Sequence, residues 1–270
     1  MEDVYFILGI FESVDIFVLI LVRLAAFFML MPIFASANIP TIIRMAFSVG
    51  FAFMVYIGGM YGEAYVTYNE SVVAFFWLVA TEFLVGFTMA YVIYIVFALF
   101  YIMGQFVDDS IGFNMVSILD PTSQIQVPVT GNLLYMLALS IFIFGGGLHF
   151  IMGALFQSFS MAPIGTINFF DTLSLPQYIV SLIISTFYFG LRIAMPIVGA
   201  LLLVNIALGM LIKAMPQMNM FVVGIPLKLF LGLIMLFALL PVFAEIFYDV
   251  FDLVYYAIET VILFFSYYGG

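Results

Sequence analysis

Few residues in this chain can do acid–base or ion-pair chemistry, and their surroundings limit what that chemistry would be. Glu82 lies inside the apolar run "VVAFFWLVATEFLVGFTMAYVIYIVFALF". An ionisable group in such a run is a functional candidate, because a charge far from water is costly to keep. Two readings stand open: a carboxylate that takes up and releases protons, or one that accepts hydrogen bonds from a Ser, Thr or Arg on a neighbouring helix. Arg23 and Arg192 are its candidate partners within the chain, and the sequence does not choose between them. Asp108 and Asp109 form an acidic pair. Paired carboxylates can share a proton, but neighbours on a helix point about 100° apart, so a solvated helix end is expected there. Asp120-Pro121 fits a turn or a helix start with Asp as cap. His149 follows Gly145, Gly146 and Gly147 and is expected to be packed, the glycines serving close helix packing. Asp252 and Glu259, seven apart, fall on one helical face. There are no cysteines, one histidine, and no HExxH, GxxxxGK[ST] or GxSxG motif. Neither an enzyme nor a bound cofactor or metal is expected.

The elements that must position these residues follow from composition. The chain has 270 residues, 67% of them hydrophobic and 7% charged, and a mean hydropathy of +1.33. Soluble domains carry about 25% charged residues, so this chain cannot cover a water-facing surface and reads as one integral membrane unit. Runs such as "LLLVNIALGMLI" do not alternate, which excludes the ~10-residue alternating segments of an outer-membrane barrel. The expected class is all-α. A net charge of −10 excludes nucleic-acid binding, which needs clustered Lys and Arg. The start, "MEDVYFILGIFESVD", is acidic and lacks the basic region of a secretory signal, so it is expected to be the mature start.

Six or seven helical spans are predicted, over roughly 5–35, 43–60, 71–104, 130–160, 175–213 and 226–247, with 248–268 either a seventh or a continuation of the sixth. Pro40 marks the first turn, "FGGGLHF" interrupts the fourth span, and Pro196 predicts a kink or break in the fifth. Residues 61–70 and 245–252 read as acidic loops. With six alternating spans, Arg44, Lys213 and Lys228 lie on one side, which the positive-inside rule makes cytoplasmic.

Between the third and fourth spans runs "IGFNMVSILDPTSQ", too polar for lipid and too apolar for an ordinary loop. Three stretches resemble a known family in their order along nearly the whole chain: "RLAAFFMLMPIFASANIPTIIRMAFSVG", "GQFVDDSIGFNMVSILDPTSQIQVPV" and "VNIALGMLIKAMPQMNMFVVGIPLKL". Together they resemble the FliR/SctT family of flagellar and injectisome export-gate proteins. The resemblance implies kinked helical hairpins, with a FliP-like part over about 1–170 and a FliQ-like part over 171–270. It implies assembly with FliP, FliQ, FlhB and FlhA-like subunits in the bacterial inner membrane, at the flagellar basal body, and passage of unfolded export substrates. It implies a pore plug carried by Ile111, Gly112, Phe113, Asn114, Met115, Val116, Ser117, Ile118 and Leu119, bounded by Asp120 and Pro121. A turn with Lys213, Met215, Pro216, Gln217, Gly224 and Pro226 would contact other subunits. The mixed polarity of 111–119 suits a seal, since bulky apolar groups exclude water and a hydrophobic constriction gates by dewetting. Two alternatives are a small-solute transporter with a midplane site near Glu82 and Arg192, and a structural scaffold without a pore.

Overall fold

The computed structural model describes residues 2–35, 39–61, 72–113, 128–166, 174–216 and 220–267, and every regular element among them is an α-helix. In chain order these are α1 (Glu2–Leu30), α2 (Thr41–Ile57), α3 (Val72–Ile111), α4 (Val129–Phe144), α5 (Gly147–Met161), α6 (Ser174–Ala214) and α7 (Met220–Tyr267). Pro40 stands immediately before α2 with φ −57° and ψ 143°, a conformation that its ring presets and that cannot extend a helix backwards.

Several boundaries differ from the sequence expectation. The third helix does not stop at Gly104 but continues to Ile111, because Gly104 is used for close packing and not as a terminus. The fourth span is broken into two helices, α4 and α5. Gly145 closes α4, and Gly146, at φ +84°, turns the chain into α5. A left-handed backbone favours glycine, so this cluster makes a corner, not the close helix contact expected. His149, just beyond it, is exposed. α6 runs unbroken through Pro196 over 41 residues. α7 takes Pro226 and Pro241 within 48 residues, so 248–268 continues the sixth span. Residues 245–252 are helical, not a loop, and Glu245, Asp249 and Asp252 are exposed on α7.

Among the described residues three helices are long and apolar enough to cross a membrane, or four if the bent pair is one span. α2, at 17 residues, would reach only ~25 Å against a hydrocarbon core of ~30 Å. By contrast α3, α6 and α7 are each ~60 Å or more at 1.5 Å per residue.

The chain divides into two compact units that interleave along the sequence. The first comprises Met1–Ile95, Gly146–Leu182 and Leu253–Gly270, and the second Val96–Gly145 and Ile183–Asp252. In the first unit α1 packs on α2 through aromatic side chains. Phe17 meets Phe53 and Tyr56 edge-on, at 5.2 and 5.8 Å between ring centroids, and Phe28 contacts Phe34 and Phe51. Such edge-to-face contacts add ~0.5–1.5 kcal/mol to simple burial. In the second unit Phe142 of α4 meets Phe97 of α3 at 5.4 Å and Phe251 of α7 at 5.0 Å, while Phe100 meets Phe247 at 5.1 Å.

The first unit is pinned by a buried cation. Arg23 and Glu82 are 0% and 1% exposed, and the Arg23 Nε–H donates to the Glu82 carboxylate at 2.6 Å. The remaining guanidinium donors reach the backbone carbonyls of Ser158 at 3.1 Å and Ala162 at 3.0 Å, at the C-terminal end of α5. The guanidinium also lies 4.4 Å from the ring centre of Phe159. One turn from Glu82, Gly86 lets α3 approach α1 closely. A Cβ there would lie 2.0 Å from the Arg23 carbonyl oxygen.

Removing one partner leaves the other charge buried and unpaired. Glu82→Leu is expected to destabilise the protein by about 3–5 kcal/mol, and the Arg23→Met/Glu82→Leu double variant to recover much of that. Denaturant unfolding in detergent micelles measures both. A double variant no more stable than Glu82→Leu would show that the carbonyl contacts matter more than the ion pair.

Candidate functional site

Asp108 holds the end of α3 through its backbone carbonyl and the start of α4 through its carboxylate. α3 ends on Gly112, whose φ of +95° is a left-handed backbone that suits glycine at a helix C-terminus. The backbone N–H groups of Gly112 and Phe113 both donate to the Asp108 carbonyl, at 2.9 and 3.1 Å. The second is the six-to-one bond that closes many helices.

The side chain of the same residue acts on the next helix. α4 begins after Pro128, which offers no side-chain cap, so the first N–H groups of the helix need acceptors from elsewhere. The Asp108 carboxylate supplies one. It accepts from the Thr130 N–H at 3.0 Å and from the Thr130 hydroxyl. Asp108 and Thr130 are 1% and 3% exposed. A negative group at a helix N-terminus is also favoured by the helix dipole. Four residues earlier the two helices touch backbone to backbone, and a Cβ on Gly104 would lie 2.0 Å from the Gly131 Cα. A methyl group cannot fit there unless the helices separate.

This overturns the expectation of a solvated Asp108–Asp109 pair. Asp109 is exposed and accepts a hydrogen bond from Gln105. Asp108 points to the other side of the helix, into the protein, because α3 extends past Gly104. The sequence signal that was available is the start of α4. A Pro-Val-Thr helix opening without its own cap needs an acid from another element, and Asp108 is one of the nearest in the chain.

Of the residues that the resemblance assigns to a plug, Ile111 is buried, and Gly112 and Phe113 are half-buried. A Cβ on Gly232 of α7 would meet the Ile111 side chain at 2.6 Å, so Ile111 is seated against a glycine of that helix. Asn114, Met115, Val116, Ser117, Ile118, Leu119, Asp120 and Pro121 lie outside the described residues. Beside the foot of this region is an open apolar groove of about 380 Å³, lined by Tyr101, Ile102, Gln105, Phe106, Pro128 and Phe187. Of the residues expected in one turn, Lys213 ends α6, while Gly224 and Pro226 lie inside α7; Lys213, Met215, Pro216 and Pro226 are exposed and Gly224 is buried. Gln217 lies outside the described residues. Lys213 occupies the last turn of α6, where a cation complements the helix dipole.

The transporter alternative needs Glu82 and Arg192 at one site. Glu82 instead spends its charge on Arg23, and Arg192 is exposed on α6. Among the described residues no group of three or more His, Cys, Asp or Glu is placed to hold a metal ion.

Gly112→Ala places a side chain in the left-handed region and is expected to cost about 1–2 kcal/mol. Gly104→Ala forces two backbones apart and is expected to cost at least as much, within the ~1–3 kcal/mol of overpacking. Chemical unfolding in detergent orders the two. A neutral Gly104→Ala would mean that α3 and α4 separate without cost.

The family profile described as bacterial export proteins, family 1, matches residues 14–254. The chain is 29% identical to the flagellar biosynthetic protein FliR of Bacillus subtilis (strain 168) over 254 residues, covering 93% of this chain and 95% of that protein. It is 27% identical to FliR of Escherichia coli (strain K12) over 243 residues, 86% and 88% of the two chains. It is 25% identical to the surface presentation of antigens protein SpaR of Shigella flexneri over 240 residues, 84% and 87% of the two chains. A match that spans most of the chain, on an all-helical apolar scaffold, makes this protein a member of the FliR/SctT family of bacterial export proteins.

Proposed function

We propose that this chain is a subunit of the type III secretion export gate, and that residues 111–121 plug its channel until an unfolded substrate passes. The observation that carries the reading is the family match over residues 14–254. The match to FliR of Bacillus subtilis, 29% identical over 93% of this chain, is more extensive than that to SpaR, 25% over 84%, which favours a flagellar system. The expected partners are FliP, FliQ, FlhB and FlhA-like subunits in the bacterial inner membrane at the flagellar basal body, with the FliP-like part over about 1–170 and the FliQ-like part over 171–270. The segment from Lys213 to Pro226, the end of α6 and the start of α7, is assigned to subunit contacts.

The helices support an assembled state. In their most apolar 18-residue stretches 67% of α3 is buried within the chain, but only 17% of α6 and 11% of α7 between Val222 and Phe243. That much uncovered apolar surface needs lipid or other subunits against it. Helices of ~60 Å also exceed the ~30 Å hydrocarbon core, so part of each is left for contacts outside the bilayer. No energy-coupling chemistry is assigned to this chain. Driving force would come from a cytosolic ATPase and the proton motive force.

Replacing residues 111–119 by a Gly/Ser sequence is expected to raise the resting ion conductance of the assembled gate in planar bilayers. A conductance equal to wild type would remove the plug assignment. Co-purification with two other helical membrane proteins tests the assembly independently of the plug.

A further inference from the structure

We propose that the lipid bilayer crosses this chain between Arg192 and Lys213 on α6 and between Lys228 and Glu245 on α7, so that hydrocarbon covers the exposed apolar faces of these two stretches. The inference says where the helices meet lipid. It goes beyond the gate reading and does not need it.

Each helix is marked off by its own charges. On α6, Arg192 and Lys213 are both exposed and bracket "IAMPIVGALLLVNIALGMLI", whose one polar side chain is Asn205. The two charges stand ~31 Å apart along the helix at 1.5 Å per residue, against ~30 Å of hydrocarbon in a bilayer. On α7, Lys228 and Glu245 bracket "LFLGLIMLFALLPVFA", which has no polar side chain, and stand ~25 Å apart. Lys228 is half-buried, and its long stem lets the ammonium reach further toward water. Only residues 215–219 lie between the two helices, and each presents a lysine toward that end. The midpoints of the two stretches fall at Leu203 and Phe237, which are 67% and 71% exposed.

Burial changes at the same boundary. In the most apolar part of α7 between Val222 and Phe243 only 11% is buried. From there to Asp252, one side of α7 buries Phe247, Val250 and Phe251, and the other exposes Glu245, Tyr248, Asp249 and Asp252. An apolar side against protein and a polar side outward is the pattern of a helix in water, whereas an apolar surface all round suits lipid. On α6, polarity separates the two halves. Residues 174–191 include Ser174, Gln177, Ser181, Ser185 and Thr186, and residues 193–212 only Asn205. A bilayer centred on the middle of α6 would put the exposed Arg192 in hydrocarbon, where a charge is costly. The boundary at Arg192 leaves Ile183, Ile184, Phe187 and Tyr188, all exposed, outside the hydrocarbon, where other protein must cover them.

The chain has no cysteine, so a single introduced thiol reports one position. A fluorophore is attached to Tyr188→Cys, Leu203→Cys, Met210→Cys, Phe230→Cys, Phe237→Cys or Asp252→Cys. Each variant, with the subunits that co-purify, is reconstituted into phosphatidylcholine vesicles brominated near the headgroup, at mid-chain or near the chain end. Leu203→Cys and Phe237→Cys are expected to lose at least half of their fluorescence to bromine near the chain end. Met210→Cys and Phe230→Cys should be quenched most by bromine nearer the headgroup. Tyr188→Cys and Asp252→Cys should lose less than a tenth with any of the lipids. Leu202→Cys and Ile234→Cys, also at exposed positions, replace a central variant that fails to assemble. A central probe on either helix that no brominated lipid quenches overturns the proposal, because protein and not lipid would then cover that stretch. A deepest position anywhere else on either helix also overturns it. Neither result bears on the gate reading, which co-purification tests separately.

Discussion

A guanidinium without water must be met on every side by acceptors, and this requirement organises the first unit. Arg23 keeps its charge in any protein environment and presents donors in a fixed planar fork. Its neighbours therefore have to arrive at fixed directions. Glu82 brings α3, and the carbonyls of Ser158 and Ala162 bring the C-terminal end of α5. The end of a helix carries partial negative charge, so the placement of α5 gains from the dipole as well as from the two hydrogen bonds. Gly86 then becomes obligatory in size, because the register that delivers Glu82 also presses α3 onto the Arg23 backbone.

The second unit repeats the logic with the sign reversed. Asp108, on α3, meets the N-terminal end of α4, where the partial charge is positive. The bent pair α4 and α5 has no Asp, Glu, Lys or Arg of its own. Each of its outer ends is instead held by a buried charge from another helix, a carboxylate at the start of α4 and a guanidinium at the end of α5. The corner between them is made by Gly145 and Gly146. In a chain with five basic and fifteen acidic residues, two of the charges are thus spent on helix ends, where an apolar environment makes such interactions strong. A third, Glu82, balances one of them. Of the carboxylates that sit in apolar runs, Glu82 and Asp108 each have a structural partner, Arg23 and Thr130.

The most apolar stretches of α6 and α7 are largely uncovered by the chain itself. A monomer with this surface is incomplete in water. The family to which it belongs explains how this is tolerated, since an export protein built into a membrane assembly has both lipid and neighbouring subunits to cover such faces. The long unbroken helices fit the same picture. Two prolines inside α7 and one inside α6 are accepted because a proline costs a helix one hydrogen bond and a steric adjustment, which neighbouring elements can compensate in a membrane assembly.

Composition determined that the chain is membrane-embedded, with 67% of it hydrophobic, and its non-alternating apolar runs determined that it is all-helical, because only helices and closed barrels satisfy the backbone in lipid. Ordered local signals determined the family, and Pro40 and the Gly145–Gly147 cluster located two of the turns. Periodicity failed where a local signal had two meanings. Gly104 reads equally as a terminus or as a close contact, and only Gly131 opposite it makes it a contact. Pro196 reads as a kink or break, yet the helix continues through it. The same holds for charge. Sequence offered Arg23 and Arg192 as partners for Glu82, and Asp108 as half of a solvated pair. Ion pairing and helix capping act over a few ångströms across elements 59 and 22 residues apart in the chain. Sequence spacing carries no record of that distance, so tertiary packing alone decided which charges are buried and what they hold.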